Sequence, residues 1–137
     1  MGHEIATDAS VEDDSGGYRF EGVQGVRASG QRERSQTGKQ ALSGPFAGME
    51  ASLVEVSYPP GGRSAEHRHP GFIVGYVLEG QIRFAINHET PRVLRSGEMF
   101  YEPAGALHST SENAQPEIPA KILAFMVAPP GPVVEVK

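Results

Sequence analysis

The sequence predicts a single all-β domain that closes into a barrel or packs as a sandwich. Glycine and proline, with 17 and 11 residues, are spread along the chain and mark frequent turns. The runs between these turns are short, rich in β-branched and aromatic residues, and spaced at roughly eight to twelve residues. No stretch carries a helical period of apolar residues. A chain of 137 residues is long enough for one domain with a hydrophobic core.

The predicted strands follow one another from Met49 onward. They are the segments MEASLVEVSY, FIVGYVL, QIRFAIN, RVLR, EMFYE and AKILAFMVA, with a short extended piece from Ser64 to His69. In QIRFAIN, apolar and polar residues alternate, so Ile82, Phe84 and Ile86 share one face of the strand. Gly-containing turns such as Glu79-Gly80 separate neighbouring strands.

The first part of the chain has a different composition, and we divide the chain into a polar tail and arm at 1–44 and a β-barrel domain at 45–137. Apolar anchors are few in 1–44, and those present are Tyr18, Phe20, Val23 and Val26. Such a segment buries too little apolar surface to fold alone. We therefore expect a mobile tail that leads to an arm docking by one short strand.

Composition excludes several classes of function. The chain has 12 basic and 17 acidic residues and a net charge of −5, which argues against nucleic acid or an anionic membrane as partner. It has no cysteine, which excludes disulfides, thiolate ligands and cysteine nucleophiles. No apolar run is long enough to span a bilayer, and the start MGHEIATDAS lacks the apolar core of a signal peptide. We expect a soluble protein, with a cytoplasmic location favoured and a periplasmic one if a leader was removed.

Histidines carry the main chemical signal of the sequence. In the stretch SAEHRHPGFIVGYVLEG, His67 and His69 fall on one face of an extended strand, because strand side chains alternate with a period of two. His108 follows the turn PAGALH, and three imidazoles from neighbouring strands can form one face of a metal coordination sphere. His3, in the tail, and His88, in a polar turn, are expected to lie apart from them.

Two segments resemble the paired motifs of the cupin superfamily. The first motif is Gly, five residues, His-x-His, three or four residues, Glu, six residues and Gly, and the chain supplies Gly61, His67, His69 and Gly80 in register. The second is Gly, five residues, Pro-x-Gly, two residues, His, three residues and Asn, and the chain supplies Gly97, Pro103, Gly105 and His108. The motif asparagine comes one place late, at Asn113. The resemblance implies a small jelly-roll β-barrel, or double-stranded β-helix, with a metal at its mouth.

The chain departs from the first motif at its glutamate, because Ile73 stands in that place. Glu66 is out of phase with the two histidines, and Glu79 lies too far along the strand. Glu102, just before the Pro-x-Gly turn, is the best substitute as a ligand. Its alternative role is to orient an imidazole by accepting a hydrogen bond from the ring.

Two interpretations of the site follow: a vestige that binds no metal, or a site built by three histidines. We favour bound metal, because three buried imidazoles with no partners would leave polar nitrogens unsatisfied. Some cupin oxygenases resemble this arrangement, with three histidines and no glutamate. Iron(II) is the favoured metal, and zinc, nickel, manganese and copper are the alternatives.

Charge predicts the type of substrate. Three neutral imidazoles leave the charge of a divalent ion uncompensated, so the site should prefer a small anionic or chelating molecule. The favoured function is a metalloenzyme of the dioxygenase type, and the alternatives are a non-redox lyase or isomerase and a non-enzymatic binding module. Tyr101 and Glu102 are candidate catalytic residues for proton transfer or substrate positioning. The expected apolar wall consists of Phe72, Ile73, Val77, Phe84 and Phe100.

A homodimer is the expected assembly. The arm around Tyr18–Val26 cannot form a core of its own, and pairing is common in the family that the motifs resemble. Barrel edges are also protected from unwanted strand pairing when they are covered.

Overall fold

The computed structural model describes residues 33–132, which form nine strands and one short 3-10 helix, Gly44–Phe46. The strands are β1 Glu33–Ala41, β2 Glu50–Tyr58, β3 His67–Arg68, β4 Phe72–Glu79, β5 Gln81–Ile86, β6 Arg92–Arg95, β7 Met99–Glu102, β8 Leu107–Asn113 and β9 Ala120–Ala128. They build a five-stranded sheet in the order β1-β2-β9-β4-β7 and a four-stranded sheet in the order β3-β8-β5-β6. The predicted all-β jelly-roll fold is confirmed. Across this range, the chain contains no helix with the length and apolarity that a membrane crossing requires.

Strands distant in sequence pair with one another in both sheets. Strand β9 lies between β2 and β4, and β8 lies between β3 and β5, always in antiparallel orientation. The inner faces of the two sheets enclose one core, whose most deeply buried large side chains are Tyr58, Val77 and Ile82. This arrangement brings the ends of β3, β4, β7 and β8 together at one end of the core.

One strand was not predicted from the sequence, and another lies in the arm that was expected to dock by a short strand. Strand β8, LHSTSEN, is too polar to read as a strand, but it is held between β3 and β5 and buries Leu107, His108, Ser111 and Asn113. Strand β1 falls within the predicted arm, and it pairs with β2 from Ala41 opposite Glu50 to Glu33 opposite Ser57. The predicted anchors from Tyr18 to Val26 lie outside the described residues, and the division of the chain at residue 44 stays a prediction.

The displaced motif asparagine has a structural role. The Nδ2 group of Asn113 donates to the carbonyl oxygens of Pro59 at 3.2 Å and Ile118 at 2.6 Å. Its Oδ1 atom accepts a hydrogen bond from the backbone N–H of Gln115 at 2.9 Å. Asn113 therefore ties the loop after β2 to the loop before β9. Glu112, which occupies the motif position, instead pairs with Arg83 at 2.8 Å.

Gly75 allows the close packing of an aromatic ring across the sheet. It lies opposite Phe100 in the β4–β7 pair, and a Cβ atom at Gly75 would fall 1.9 Å from the Phe100 Cζ atom. Phe100 is 2% exposed and belongs to the core cluster. The missing side chain at Gly75 thus sets the position of the Phe100 ring.

Gly75→Ala should lower the free energy of unfolding by about 1–3 kcal/mol, because the added methyl group displaces the Phe100 ring from a packed core. Gly38→Ala in β1 is the matched control, since no atom lies within 4 Å of its added Cβ, and it should change stability by less than about 0.5 kcal/mol. Urea unfolding of both variants measures the difference. Equal stability of Gly75→Ala and the unsubstituted protein would show that Phe100 does not pack there.

Candidate metal centre

Three buried histidines converge at the end of the barrel where β3 and β8 meet. His67 and His108 lie directly opposite each other in the antiparallel β3–β8 pair, and His69 is on the same face two residues after His67. The ring centroid of His67 lies 4.7 Å from that of His69 and 4.9 Å from that of His108. One nitrogen from each ring lies within 4.8 Å of the other two. The structure therefore brings together all three predicted ligands.

Backbone contacts hold the two motif segments against each other. The backbone N–H of Gly105 donates to the carbonyl oxygen of His69 at 2.9 Å, and Arg68 Nη1 donates to the carbonyl oxygen of Gly105 at 2.7 Å. Gly105 has a φ of +74°, a conformation that glycine adopts without strain. Arg68 is exposed between two buried histidines, as strand alternation requires. These contacts hold the backbone around His69 against the turn that precedes β8.

The hydrogen bonding of His67 sets its tautomer. Its Nδ1 atom lies 2.7 Å from the carbonyl oxygen of Ala65, which only accepts hydrogen bonds, so Nδ1 carries the proton. In the neutral ring, Nε2 then presents a lone pair, the form that binds a metal. This Nε2 lies 3.0 Å from the Nε2 atom of His69. Two cis ligands of an octahedral ion with bonds of about 2.1 Å are about 3.0 Å apart, so the pair fits such a site.

Glu102 joins the histidines from the opposite sheet. It lies on β7, is 2% exposed, and lines the same pocket. Its Oε1 atom lies 3.2 Å from His108 Nδ1, and its Oε2 atom lies 3.9 Å from His69 Nε2. Its partner across the β4–β7 pair is Ile73, the residue at the motif glutamate position. The carboxylate therefore enters the site from the strand next to the expected one.

The remaining polar candidates lie away from this cluster. Tyr101 precedes Glu102 on β7 and therefore points to the other side of the sheet, where it is 52% exposed and does not line the pocket. The His88 side chain is 65% exposed, and its Nδ1 atom lies 3.5 Å from Glu66 Oε1. This contact places Glu66 beside the His88 turn. His3 lies outside the described residues.

The histidines open into an apolar pocket between the two sheets, with about 430 Å³ of space including its mouth. Among the predicted wall residues, Ile73 and Phe100 line this pocket. Phe84 instead packs on the His108 ring at 5.1 Å, and Val77 is fully buried in the core. The other apolar lining residues are Val54, Val56, Ile122, Ala124 and Met126, together with Tyr58.

Arg34 also lines the pocket, and the sequence did not single it out as a site residue. It lies on β1 directly opposite Val56, whose buried side chain faces the interior. Residues directly opposite in an antiparallel pair share a face, so Arg34 is on the inner side of the sheet. The polar sequence of β1 conceals this position, and only the pairing with β2 identifies it.

Comparisons with known proteins agree with this fold. The family described as "Cupin domain" matches residues 54–126. The germin-like protein subfamily 2 member 2 of Arabidopsis thaliana is 34% identical over 89 residues, which cover 61% of this chain and 40% of that protein. Dimethylsulfoniopropionate lyase DddQ of Ruegeria pomeroyi is 30% identical over 73 residues, which cover 53% of this chain and 36% of the lyase. The chain thus matches well under half the length of these curated relatives.

Solved structures share the same fold. The crystal structure of DddQ from Ruegeria pomeroyi superposes with a TM-score of 0.62 at 17% identity, over 89% of this chain and 61% of that one. Oxalate oxidase in complex with the substrate analogue glycolate superposes with a TM-score of 0.55 at 26% identity, over 62% of this chain and 45% of that one.

Replacing His67, His69 or His108 by alanine should lower the affinity for a divalent transition metal by at least about tenfold, because each variant removes one ligand nitrogen. Elemental analysis and metal titration of protein purified without a His-tag measure this. His88→Ala is the matched control and should keep full loading, since its ring contacts Glu66 outside the cluster. If a variant lacking all three histidines retains stoichiometric metal, these residues do not hold it.

Proposed function

The chain belongs to the cupin family, and from this premise we propose that it is a metalloenzyme whose divalent transition metal is held by His67, His69 and His108. The observation that carries the proposal is the convergence of three buried imidazoles, one of them in the metal-binding tautomer. Imidazole donors suit iron, zinc, nickel and copper better than manganese, which prefers oxygen donors, and iron(II) is favoured. When bound, the metal supplies Lewis acidity and, as iron, reactivity toward dioxygen.

The substrate that fits this pocket is a small anion. Arg34 lines the pocket with the histidines, and a guanidinium group can bind a carboxylate through two parallel hydrogen bonds. Its positive charge offsets the negative charge of an ionised Glu102, so the pocket keeps the full charge of the metal ion. The apolar walls at Ile73 and Phe100 make the surroundings less polar, which strengthens these electrostatic contacts.

The similarities support a small carboxylate as the substrate class. Oxalate oxidase was solved with glycolate, which is a hydroxy-carboxylate. The lyase DddQ is named for dimethylsulfoniopropionate, which also carries a carboxylate. We propose oxygen-dependent chemistry of the dioxygenase type on such a carboxylate. A non-redox, metal-dependent lyase is the second candidate, favoured by the 30% identity to DddQ.

We expect the purified protein to contain iron. We also expect it to consume oxygen when small carboxylates, including oxalate and glycolate, are added. Arg34→Leu should weaken glycolate binding to the metal-loaded protein by about ten- to a hundredfold, the effect of losing a charged hydrogen-bond pair. Arg95→Leu is the control, since Arg95 is exposed on β6, in the other sheet. Elemental analysis, an oxygen electrode and calorimetric titration provide the measurements.

Each outcome of these measurements separates the candidates. Bound zinc, no oxygen uptake and cleavage of dimethylsulfoniopropionate or a related carboxylate would favour the lyase. Protein that binds no transition metal under any loading condition would remove both enzyme candidates and leave the non-enzymatic binding module.

We also propose a homodimer that pairs through the outer side of the five-stranded sheet. Two rows of cross-strand neighbours run over this side, and we call them the outer apolar face. The first row is Leu53, Phe125, Val74 and Tyr101, and the second is Leu123, Tyr76 and Met99. Several of these side chains are exposed, including Phe125 at 40% and Met99 at 58%. A contiguous apolar patch of this kind marks an interaction surface, and a second copy presents a surface of the same chemistry.

Phe125→Glu should shift the protein from dimer to monomer in analytical ultracentrifugation, because the carboxylate would be buried in the centre of the outer apolar face. Phe46→Glu is the control, because Phe46 is 58% exposed on the 3-10 helix rather than on this face, and it should leave the dimer intact. A monomeric wild-type protein at all concentrations would reject the dimer. A monomer that becomes a dimer only after deletion of residues 1–32 would instead show that this segment covers the face.

A further inference from the structure

We propose that Glu102 is the fourth protein ligand of the metal, so that β7 delivers the carboxylate missing from position 73 on β4. The inference rests on the proposed metal site at His67, His69 and His108. It replaces a site with three nitrogen ligands by one with three nitrogens and a carboxylate oxygen. The unusual feature is the strand from which that oxygen comes.

The register of the β4–β7 pair lets a glutamate on β7 take the place of the motif glutamate on β4. Ile73 and Glu102 are directly opposite partners, and both are buried on the inner face of the five-stranded sheet. The Cβ atoms of such partners lie about 4.5–5.5 Å apart, so a glutamate on either strand reaches the same region. Along β7, Phe100 and Glu102 face inward, while Met99 and Tyr101 face outward. The carboxylate of Glu102 therefore faces the histidines on the opposite sheet.

The distances fit a shared ion. Glu102 contacts two of the three imidazoles, His108 at 3.2 Å through Oε1 and His69 at 3.9 Å through Oε2. Ligand atoms of an octahedral ion with bonds of about 2.1 Å are about 3.0 Å apart when adjacent and about 4.2 Å apart when opposite. Either oxygen can therefore serve as the ligand atom: Oε1 lies close to the adjacent separation from His108 Nδ1, and Oε2 lies close to the opposite separation from His69 Nε2. The contact to His69 is informative, because His69 Nε2 is also the atom 3.0 Å from His67 Nε2.

The alternative role for Glu102 is to orient the His108 ring by accepting a hydrogen bond from Nδ1. That role uses one oxygen and one ring, whereas the carboxylate spans two rings with its two oxygens. Burial adds a second argument, because a carboxylate that is 2% exposed is stabilised by nearby positive charge. Arg34 lines the same pocket, and a divalent ion held by neutral imidazoles adds further positive charge at short range.

The identity of residue 73 follows from the same pairing. A glutamate at both positions would place like charges directly opposite each other on a buried face, which destabilises the pair. An apolar side chain at position 73 avoids this repulsion and forms part of the pocket wall. The apolar residue at position 73 thus suits a glutamate at position 102. The pair together keeps the single carboxylate that the motif would supply.

A double-mutant cycle with Co²⁺ as the probe separates a ligand from a residue that only orients His108. Glu102→Gln is isosteric and should weaken Co²⁺ binding by at least about tenfold. In a His108→Ala background, a residue that acts only through His108 has nothing left to orient. We expect Glu102→Gln to weaken binding by a further tenfold or more in that background, because a ligand acts on the ion itself. Equal Co²⁺ affinity of His108→Ala with and without Glu102→Gln would overturn the proposal.

Exchange of the two residues tests the register argument. The double variant Ile73→Glu with Glu102→Ile keeps one carboxylate in the pair at nearly constant volume. It should restore Co²⁺ affinity to within about tenfold of wild type, whereas Glu102→Ile alone should not. Glu112→Gln is the control, since Glu112 pairs with Arg83 outside the cluster, and it should leave affinity unchanged. Thermal unfolding without metal identifies any variant that is simply destabilised. An exchanged protein that folds but does not regain affinity counts against the shared position.

These results distinguish this inference from the proposed function. If the histidine variants lose metal and Glu102→Gln binds it as tightly as wild type, the site has three ligands and only the present proposal fails. If the histidine variants keep their metal, the proposed metal site itself fails.

Discussion

The site depends on the antiparallel register of β3 with β8. This register places His67 directly opposite His108, and a slip of one residue would turn one of the two imidazoles to the outer side of the sheet. Strand β3 has only two residues, so its own ladder is a weak restraint. The bonds between Gly105 and the His69 segment supply the rest of the restraint. A ligand set spread over two motifs thus relies on a few backbone contacts at a single turn.

The proposed metal centre also joins the two sheets. The histidines belong to the β3–β8 end of the four-stranded sheet, while Ile73 and Glu102 face them from the five-stranded sheet. The tautomer of His67 is set locally by the carbonyl of Ala65, two residues away. The position of the carboxylate is set by pairing between distant strands. Local chemistry therefore prepares one candidate ligand, and long-range topology positions another.

Much of the fold was predictable from the sequence, because alternation and turn residues identify strands such as β2, β4, β5 and β9. Strand β8 was not, since its residues are polar and its burial comes from pairing with β3 and β5. The three candidate ligand histidines were identified by motif spacing, and the structure brings them together. The roles of Tyr101 and Glu102 were not separable, because two adjacent strand residues face opposite sides and the sequence does not say which side is inner. Arg34 was missed because its inner position follows only from the β1–β2 register.

The edge position of β1 connects the proposed anion binding to local stability. Among the described strands, β1 pairs with β2 alone and carries Arg34 into the pocket. Edge strands open at lower free energy than the centre of a sheet. An anion that contacts Arg34 is bound fully only while β1 is paired, so its binding energy also stabilises that pairing. Occupancy of the pocket and hydrogen-exchange protection of β1 are therefore linked, and the edge of the sheet acts as part of the binding site.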